Sequence, residues 1–361
     1  MHTRCIREIL CKVNESNPTK AVGCKTLQSS MKKNSVLIIS PALANANNGN
    51  WQTAWRWSRM LATDYQTTIA QQWNGAPFDV MLALHARRSA SSIAGWASAH
   101  GATRNAAGLA VVLTGTDLYR DIQTDKLAQK SLDLASRLVI LQERGPDALP
   151  QALRAKTTVI FQSTGSRRHI AKAKGHLRAV MVGHLRDEKS PQTLYAAARL
   201  LTNHLDILID HIGDPLDDSL AEQARATALD CPNYRWLGGL PHEDTRRRIQ
   251  RSHVLVHASR MEGGAHVVME AVCSGTPVLA SRIDGNVGML GAHYPGYFAC
   301  GDAQGLADLL VKTRTGQMAQ SALAGRGLYD QLRAHCAARA PLFDPKNEQA
   351  ALLKLVRNLL K

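Results

Sequence analysis

Residues 253–281 decide the fold of this chain and read HVLVHASRMEGGAHVVMEAVCSGTPVLAS. The apolar, β-branched run at the start predicts a strand, and TPVLAS at the end predicts another. Between them, Gly263 and Gly264 lead into a predicted helix over residues 265–273, which Gly275 is placed to end. Strand, helix and strand in this order indicate a βαβ unit of a parallel sheet.

The rest of the chain repeats this alternation in two series. The first runs through VLIIS, TTIAQQW, DVMLAL, LAVVLTG, RLVILQ and TTVIFQS, and the second through LRAVMVG, LDILIDHIG, YRWLGG, HVLVHAS and PVLASRI. We therefore predict two doubly wound α/β domains that face a cleft, at residues 34–164 and 176–345, joined by a linker at 165–175. Ligands of such sheets bind at the carboxyl ends of the strands, so the loops there carry the candidate site residues.

Residues 1–33 are polar and lack an apolar signal region, which predicts a disordered leader outside the fold. No run approaches eighteen apolar residues, so no membrane span is predicted. The cysteines are scattered without the spacing of metal ligands, which favours reduced thiols in a cytoplasmic protein. We predict neither a bound metal nor a cofactor.

The net charge of +15 predicts an anionic partner. Nucleic acid, a phosphorylated substrate and an acidic membrane surface all agree with the charge, because the basic residues are dispersed along the chain. The motifs described next favour the phosphorylated substrate and predict no nucleic-acid partner.

Two carboxylates, Glu262 and Glu270, are separated by seven residues around the glycine pair. The amides at a helix start favour phosphate, and we assign this role to the stretch from Gly263 and Gly264 through Ala265 and His266. Carboxylates beside a phosphate site would repel the phosphate unless they bind another group, and sugar hydroxyls suit them. A nucleotide sugar offers hexose hydroxyls, a diphosphate and ribose hydroxyls in that order.

EGGAHVVMEAVCSGTPVLAS resembles the donor-site signature of the retaining family 4 glycosyltransferases, which have the GT-B fold of two Rossmann-like domains. VMVGHLRDEKSPQTLYAA likewise resembles the segment of this family that begins VGRL and supplies cations for the diphosphate, with Gly183 and Lys189 at the matching positions. His184 stands where the family has an arginine, so we expect Arg186 to substitute. Where the family has a glutamate loop, this chain reads DGNVGML, and we assign Asn286 to the donor there.

The resemblance implies the roles of the donor residues. Glu270 would hold the ribose, Glu262 the hexose hydroxyls, and Lys189 the diphosphate as its charge grows during transfer. We expect Lys189, Glu262, Arg186 and His85 to be catalytic. The resemblance also implies that the last helix, at residues 346–361, returns to the first domain.

The acceptor residues are predicted from the loops that follow strands of the first domain. NANNGN can present amides, and arginines suit a phosphate-type anion because the guanidinium pairs with two oxygens at once. His85 follows DVMLAL as a candidate base or orienting donor, and Thr116 stands where relatives carry a histidine. The predicted acceptor residues are Asn48, Gly49, Asn50, Arg87, Arg88, Thr116, Asp117 and Arg120.

Several stretches, ISPALANANNGNWQTAWRW, LHARRSASSIAGW, LTGTDLYRDI and YPGYF among them, resemble a narrower group, the selenosugar synthases of selenoneine biosynthesis. This resemblance implies transfer of an N-acetylhexosamine from a UDP-sugar, with UDP-N-acetylglucosamine as the expected donor, to selenophosphate. Other enzymes of that pathway are further candidate partners. An O-glycosyltransferase of envelope or lipid glycan synthesis is the alternative enzyme. A polyanion-binding module is disfavoured, because it has no use for the two glutamates.

Overall fold

The computed structural model describes residues 33–43, 49–318 and 327–361. The predicted leader and Asn48 therefore lie outside the described residues, apart from Lys33. Within the described residues, no helix is both long and apolar enough to cross a membrane.

The first domain is built on a parallel sheet of six strands, in the order β2-β1-β3-β4-β5-β6. Its strands are β1 (Ser35–Ile39), β2 (Gln66–Ala70), β3 (Val80–Leu84), β4 (Ala106–Leu113), β5 (Ala135–Ile140) and β6 (Thr157–Val159). The helices between them are α1 (Gly49–Leu61), α2 (Ala90–Ala99), α3 (Ile122–Thr124), α4 (Lys126–Leu134) and α5 (Gln151–Arg154), with a π-helical turn at Asp117–Asp121 and a 3-10 turn at Gly145–Ala148.

The second domain repeats the plan in the order β12-β11-β10-β7-β8-β9, again with parallel pairing. Its strands are β7 (Leu177–Val182), β8 (Ile207–Ile212), β9 (Tyr234–Trp236), β10 (Val254–His257), β11 (Val278–Ser281) and β12 (Tyr297–Phe298). Its helices are α6 (Pro191–Leu200), α7 (Asp218–Asp230), α8 (His242–Arg251), α9 (His266–Val272), α10 (Asp284–Leu290), α11 (Ala303–Met318) and α12 (Leu328–Arg339), with 3-10 turns at Asp187–Lys189 and Ala340–Phe343. The prediction of two doubly wound parallel sheets is thus confirmed.

Central strands such as VMLAL in β3 are buried along their whole length, because helices cover both faces of a parallel sheet. β4 contains one irregularity, a register shift between Ala106 and Ala110. Gly108 lies in this shift with φ +69°, and a Cβ there would lie 2.6 Å from the carbonyl oxygen of Asp79. Glycine is therefore required for β3 and β4 to pair.

The last helix, α13 (Pro345–Leu359), packs on the first sheet. Leu352, Leu355 and Val356 share one apolar core with Trp57 of α1 and Val36 of β1. The chain therefore crosses between the domains twice, at residues 160–176 and again after α12.

Each sheet reverses its strand order at one point, and these points position the candidate site. In the second sheet the reversal lies between β7 and β10, so the loops after these two strands adjoin. In the first sheet it lies between β1 and β3, where His85 follows β3 directly. These are the places where doubly wound sheets bind ligands.

Candidate active site

Lys189 and Glu262 form an ion pair at the reversal point of the second sheet. Lys189 Nζ donates to Glu262 Oε1 at 2.5 Å, and the side chains are 17% and 14% exposed. His257 Nε2 lies 3.4 Å from the same oxygen. Burial by itself would raise the pKa of Glu262, but Lys189 and His257 outweigh it and hold that pKa well below its usual range. Glu262 is therefore ionised and its charge is matched by Lys189.

The turn that carries Lys189 has an unusual backbone. The 3-10 turn at Asp187–Lys189 ends in Ser190 with φ +49°, the left-handed region that few residues other than glycine adopt. A Cβ on Gly183 would lie 3.3 Å from the Lys189 stem, so glycine leaves room for this side chain above the strand end. The local sequence thus directs Lys189 back across β7 towards Glu262.

His184 and Arg186 are exposed on the same loop. His184 Nδ1 accepts from the Asp214 amide at 3.2 Å, and partial burial lowers the pKa of this imidazole. The Arg186 guanidinium lies 4.0 Å from the Glu188 carboxylate. Neither side chain belongs to the Lys189–Glu262 pair, although both lie within a few residues of it.

Glu270 lies in α9 and is almost fully buried. The His242 Nε2 atom is 2.7 Å from Glu270 Oε1, and Arg246 Nε is 3.8 Å from the same oxygen. The hydrogen bond to Glu270 raises the pKa of His242. α8 thus presents two cationic groups, four residues apart on one helix face, to the carboxylate assigned to the ribose.

The Gly263–Gly264 pair lies where the two domains touch. A Cβ on Gly115, in the loop after β4, would lie 2.8 Å from the Gly263 amide nitrogen. A Cβ on Gly264 would lie 2.8 Å from the Leu141 side chain. These glycines therefore allow close approach of backbone from the other domain.

The next two residues differ in what their polar groups contact. The Ala265 amide donates to Met289 Sδ at 3.2 Å, so it is already engaged. His266 Nε2 is buried and has no hydrogen-bond partner among the described residues. Burial first, and then the charge of Arg56, lower the pKa of His266 well below its ordinary value. His266 is therefore a neutral imidazole with unused hydrogen-bonding capacity.

His85 lies at the end of β3 with φ +72°, a strained conformation for a side chain of its size. His85 Nε2 lies 3.2 Å from Thr116 Oγ1, and Nδ1 accepts from the Arg88 amide at 3.3 Å. Burial lowers the pKa of His85, against the opposing charge of Asp117. The first domain thus contains a neutral imidazole that is hydrogen-bonded to a hydroxyl.

Asp117, which was assigned to the acceptor, lies among backbone amides. Asp117 is fully buried, and its oxygens accept from the amides of Thr114 at 2.8 Å, Gly115 at 2.9 Å and Ala86 at 2.9 Å. Its carboxylate thus holds the loops after β3 and β4 together through hydrogen bonds with their backbone amides.

Asn286, which was assigned to the donor, also lies in the interior. It belongs to α10, where a loop was expected, and it is fully buried. Its amide donates to the Ser281 carbonyl at 2.9 Å. Asn286 therefore ties α10 to the end of β11.

The remaining acceptor candidates lie at the surface of the first domain. Arg87 Nε donates to Asp125 at 2.7 Å, while Arg88 is exposed. Arg120 pairs with Asp121 at 3.1 Å and reaches Glu188 of the second domain at 3.4 Å.

Gly49 and Asn50 open α1. The Gly49 carbonyl accepts from the Thr53 hydroxyl at 2.8 Å.

Sequence reasoning missed a different set of groups, which contact the predicted residues from elsewhere in the chain. These are His242, Arg246, His257 and Asp121. The spacing of His242 and Arg246 in HEDTRRR was the available indication.

Residues 163–317 match the model of the family described as glycosyl transferases group 1. The search of curated proteins found no match. Solved structures with a similar fold include a sucrose-phosphate synthase from Thermosynechococcus elongatus (TM-score 0.68, 15% identity, 91% of this chain and 99% of that chain) and Anabaena HepE in complex with UDP (0.66, 15%, 90% and 100%). S. aureus TarM, solved with UDP and other ligands, is also similar (0.58, 13%, 78% and 55%), and the chain spans about half of its length.

The matched segment covers most of the second domain and includes Lys189, Glu262 and Glu270. The two parallel sheets and these similar structures show the GT-B fold, and the matched segment makes the second domain that of a glycosyltransferase.

Proposed function

We propose that the protein transfers an N-acetylhexosamine from a UDP-sugar to selenophosphate. The observation that carries the donor half is the position of Lys189, Glu262 and Glu270 at the reversal point of the second sheet. TarM and HepE were solved with UDP, and a pneumococcal O-GlcNAc transferase of similar fold was solved with UDP and GlcNAc. In this scheme residues 176–345 form the nucleotide-sugar domain, and residues 34–164 with the last helix form the acceptor domain.

The donor residues act by charge and hydrogen bonding. The diphosphate competes with Glu262 for Lys189, and Glu262, once released, accepts from hexose hydroxyls. Glu270 accepts from the ribose hydroxyls while His242 and Arg246 hold its carboxylate. Arg186 lies within reach of the same loop as a second cation for the diphosphate. Catalysis is then positioning, together with stabilisation of the leaving UDP by Lys189.

The acceptor half of the proposal is supported by the basic groups of the first domain. Arg88 and Arg120 bring positive charge to the loops after β3 and β4, which face the donor loop. In the reaction, the selenium lone pair forms a bond to the anomeric carbon, and the bond from that carbon to the diphosphate oxygen breaks. The electron pair leaves with UDP. Water then releases phosphate from selenium to give the selenosugar.

A hydroxyl acceptor, as in envelope or lipid glycan synthesis, is the second candidate. His85 favours it as an orienting donor, because Nδ1 accepts from the Arg88 amide, so Nε2 carries the proton and donates to Thr116, whose hydroxyl can then hold an acceptor hydroxyl in place. A selenium nucleophile already carries negative charge and needs little help from a base.

We place the reaction in a cytoplasm. The described cysteines Cys231, Cys273, Cys300 and Cys336 are all free thiols, as expected in a reducing compartment.

The experiment compares UDP release from UDP-N-acetylglucosamine with selenophosphate, thiophosphate, phosphate or glycerol as the added acceptor. We expect the fastest release with selenophosphate. Fast release with glycerol and none with selenophosphate would favour the hydroxyl transferase. A His85→Ala variant separates the two mechanisms, because it should slow transfer to a hydroxyl far more than transfer to selenium.

A further inference from the structure

His257 is the last residue of β10, and its buried side chain adjoins the Lys189–Glu262 pair. Its Nε2 atom lies 3.4 Å from Glu262 Oε1, which is longer than a usual N–H···O hydrogen bond. Lys189, at 2.5 Å from the same oxygen, is therefore the principal partner of Glu262, and His257 is the second. The Ser259 hydroxyl oxygen lies 3.3 Å from the same ring nitrogen.

The surroundings of the His257 ring decide which nitrogen carries a proton. Nδ1 is buried and has no hydrogen-bond partner among the described residues. A ring with its only proton on Nδ1 would bury an unsatisfied donor, and it would turn the Nε2 lone pair towards the ionised Glu262. Every ring form that avoids this repulsion has a proton on Nε2. His257 thus offers a donor to Glu262, and the charged carboxylate is a stronger acceptor than the Ser259 hydroxyl.

Both protein partners of Glu262 act on the same carboxylate oxygen. Lys189 Nζ and His257 Nε2 approach Oε1, whereas Oε2 makes no hydrogen bond or ion pair with the described residues. The side chain is partly exposed, so Oε2 can be reached by a ligand. A carboxylate that is held through one oxygen presents the other in a fixed direction.

The second donor glutamate is held in the same way. His242 Nε2 and Arg246 Nε approach Glu270 Oε1 at 2.7 and 3.8 Å, and Oε2 has no such partner in the described part of the chain. In each of the two glutamates, a histidine and a longer cationic side chain thus share one oxygen. The other oxygen is left for a sugar hydroxyl.

The two partners of Glu262 differ in their freedom to move. The Lys189 ammonium ends a flexible stem, and in the proposed function it turns to the diphosphate. The His257 ring is buried at the end of a central strand and stays beside the carboxylate. Without this ring, Glu262 would lose both partners in the step in which it accepts from the hexose.

We propose that His257 is a positioning residue for recognition of the donor hexose. It holds Glu262 through Oε1 after Lys189 has turned to the diphosphate, and it thereby directs Oε2 at the hexose hydroxyls. This role rests on the donor function proposed for Glu262, and it does not depend on the identity of the acceptor.

The test compares the dissociation constants of UDP and of UDP-N-acetylglucosamine, measured by calorimetry without acceptor. Their ratio isolates the contribution of the hexose, because both ligands displace Lys189 through the diphosphate. His257→Leu removes the donor and should weaken UDP-N-acetylglucosamine relative to UDP by roughly 10-fold. His257→Gln keeps an N–H donor at a similar reach and should retain most of the wild-type ratio.

A double-mutant cycle with Glu262→Gln shows whether His257 acts through the carboxylate. Glu262→Gln should itself weaken UDP-N-acetylglucosamine relative to UDP, and His257→Leu should then add little further loss. His253→Leu is the matched control, because His253 is a buried histidine at the other end of β10 and its Nδ1 accepts from the Arg178 amide at 2.8 Å. It should lower the melting temperature and leave the ratio unchanged.

An unchanged ratio in folded His257→Leu would overturn the positioning role, and so would a loss that simply adds to that of Glu262→Gln. If thermal melts show that His257→Leu is unfolded, His257→Asn replaces it, because its amide is too short to reach Glu262. Equal ratios in the Asn variant, the Gln variant and the wild type would then overturn the role. An unchanged ratio in Glu262→Gln would reject the donor function of Glu262 and the role of His257 with it, whereas failure of the His257 variants alone leaves the proposed function standing.

Discussion

Replacing Lys189 by methionine removes the cation from the Lys189–Glu262 pair and leaves the carboxylate with His257 as its remaining partner in the pair's surroundings. Breaking a buried ion pair from one side costs about 3–5 kcal/mol. Both side chains are partly exposed, at 17% and 14%, so solvent screens part of this cost and we expect about 2–3 kcal/mol of lost stability. Turnover should also fall by roughly 100-fold, because Lys189 meets charge that grows on the leaving diphosphate.

The stability lost in Lys189→Met should depend on pH. The pKa of Glu262 is lowered in the folded protein, so the pair stabilises the fold above the usual carboxyl pKa near 4.5 and this contribution is lost as the pH falls below it. In Lys189→Met the pKa of Glu262 rises and the carboxyl takes up a proton more easily. The stability gap between wild type and variant should therefore be largest near pH 7, begin to narrow as the variant's Glu262 takes up its proton, and close only well below about pH 4.5.

Urea unfolding at several pH values, together with the rate of UDP release, measures both effects. The double variant Lys189→Met, Glu262→Gln should recover most of the stability and none of the turnover. A single variant as stable as the wild type would refute the ion-pair argument. A variant with normal turnover and a raised KM alone would show that Lys189 binds the donor without stabilising the leaving group.

Three further predictions concern residues around this pair. Glu270→Gln should weaken UDP binding by roughly 10-fold or more, measured by calorimetry, and an unchanged Kd would exclude the ribose assignment. His242→Asn should be less stable than the wild type at about pH 6 and equally stable at about pH 9. The reason is that the raised pKa of His242 gives stability present below 6.5 and lost as the pH rises through the folded pKa, so a gap that does not change with pH would contradict the His242–Glu270 pair. Asp117→Asn should cost about 2–3 kcal/mol in urea unfolding, because an amide nitrogen cannot accept from backbone N–H groups, and wild-type stability would contradict its role in the loops.

Much of the fold could be predicted because buried parallel strands form continuous apolar runs. The helix between β10 and β11 was predictable from the glycines at both of its ends. β12 has two residues, too few for a periodic pattern to show. The segment DGNVGML was predicted as a loop from the family resemblance, yet it forms α10, where Gly288 packs against the Gln142 side chain of the other domain.

The chemistry of the site could be predicted as residue types but not as partners. The sequence pattern proposed roles for Lys189 and Glu262, yet 73 positions separate them, and no local pattern reports that they pair. Arg56 donates to the Glu348 carboxylate, although 292 positions separate the two residues. Asp117 shows a further limit, because composition cannot distinguish a carboxylate that accepts from backbone amides from one that faces a cleft. Such partners follow from the packing of the loops in three dimensions.

The most direct test of the proposed function is the mass spectrum of the product formed from UDP-N-acetylglucosamine and selenophosphate. We predict a species with the mass of the N-acetylhexosamine bonded to selenium and with the isotope pattern of that element. It should appear with wild-type enzyme and be strongly reduced with Lys189→Met. A product without selenium, or UDP release that does not depend on selenophosphate, would contradict the account.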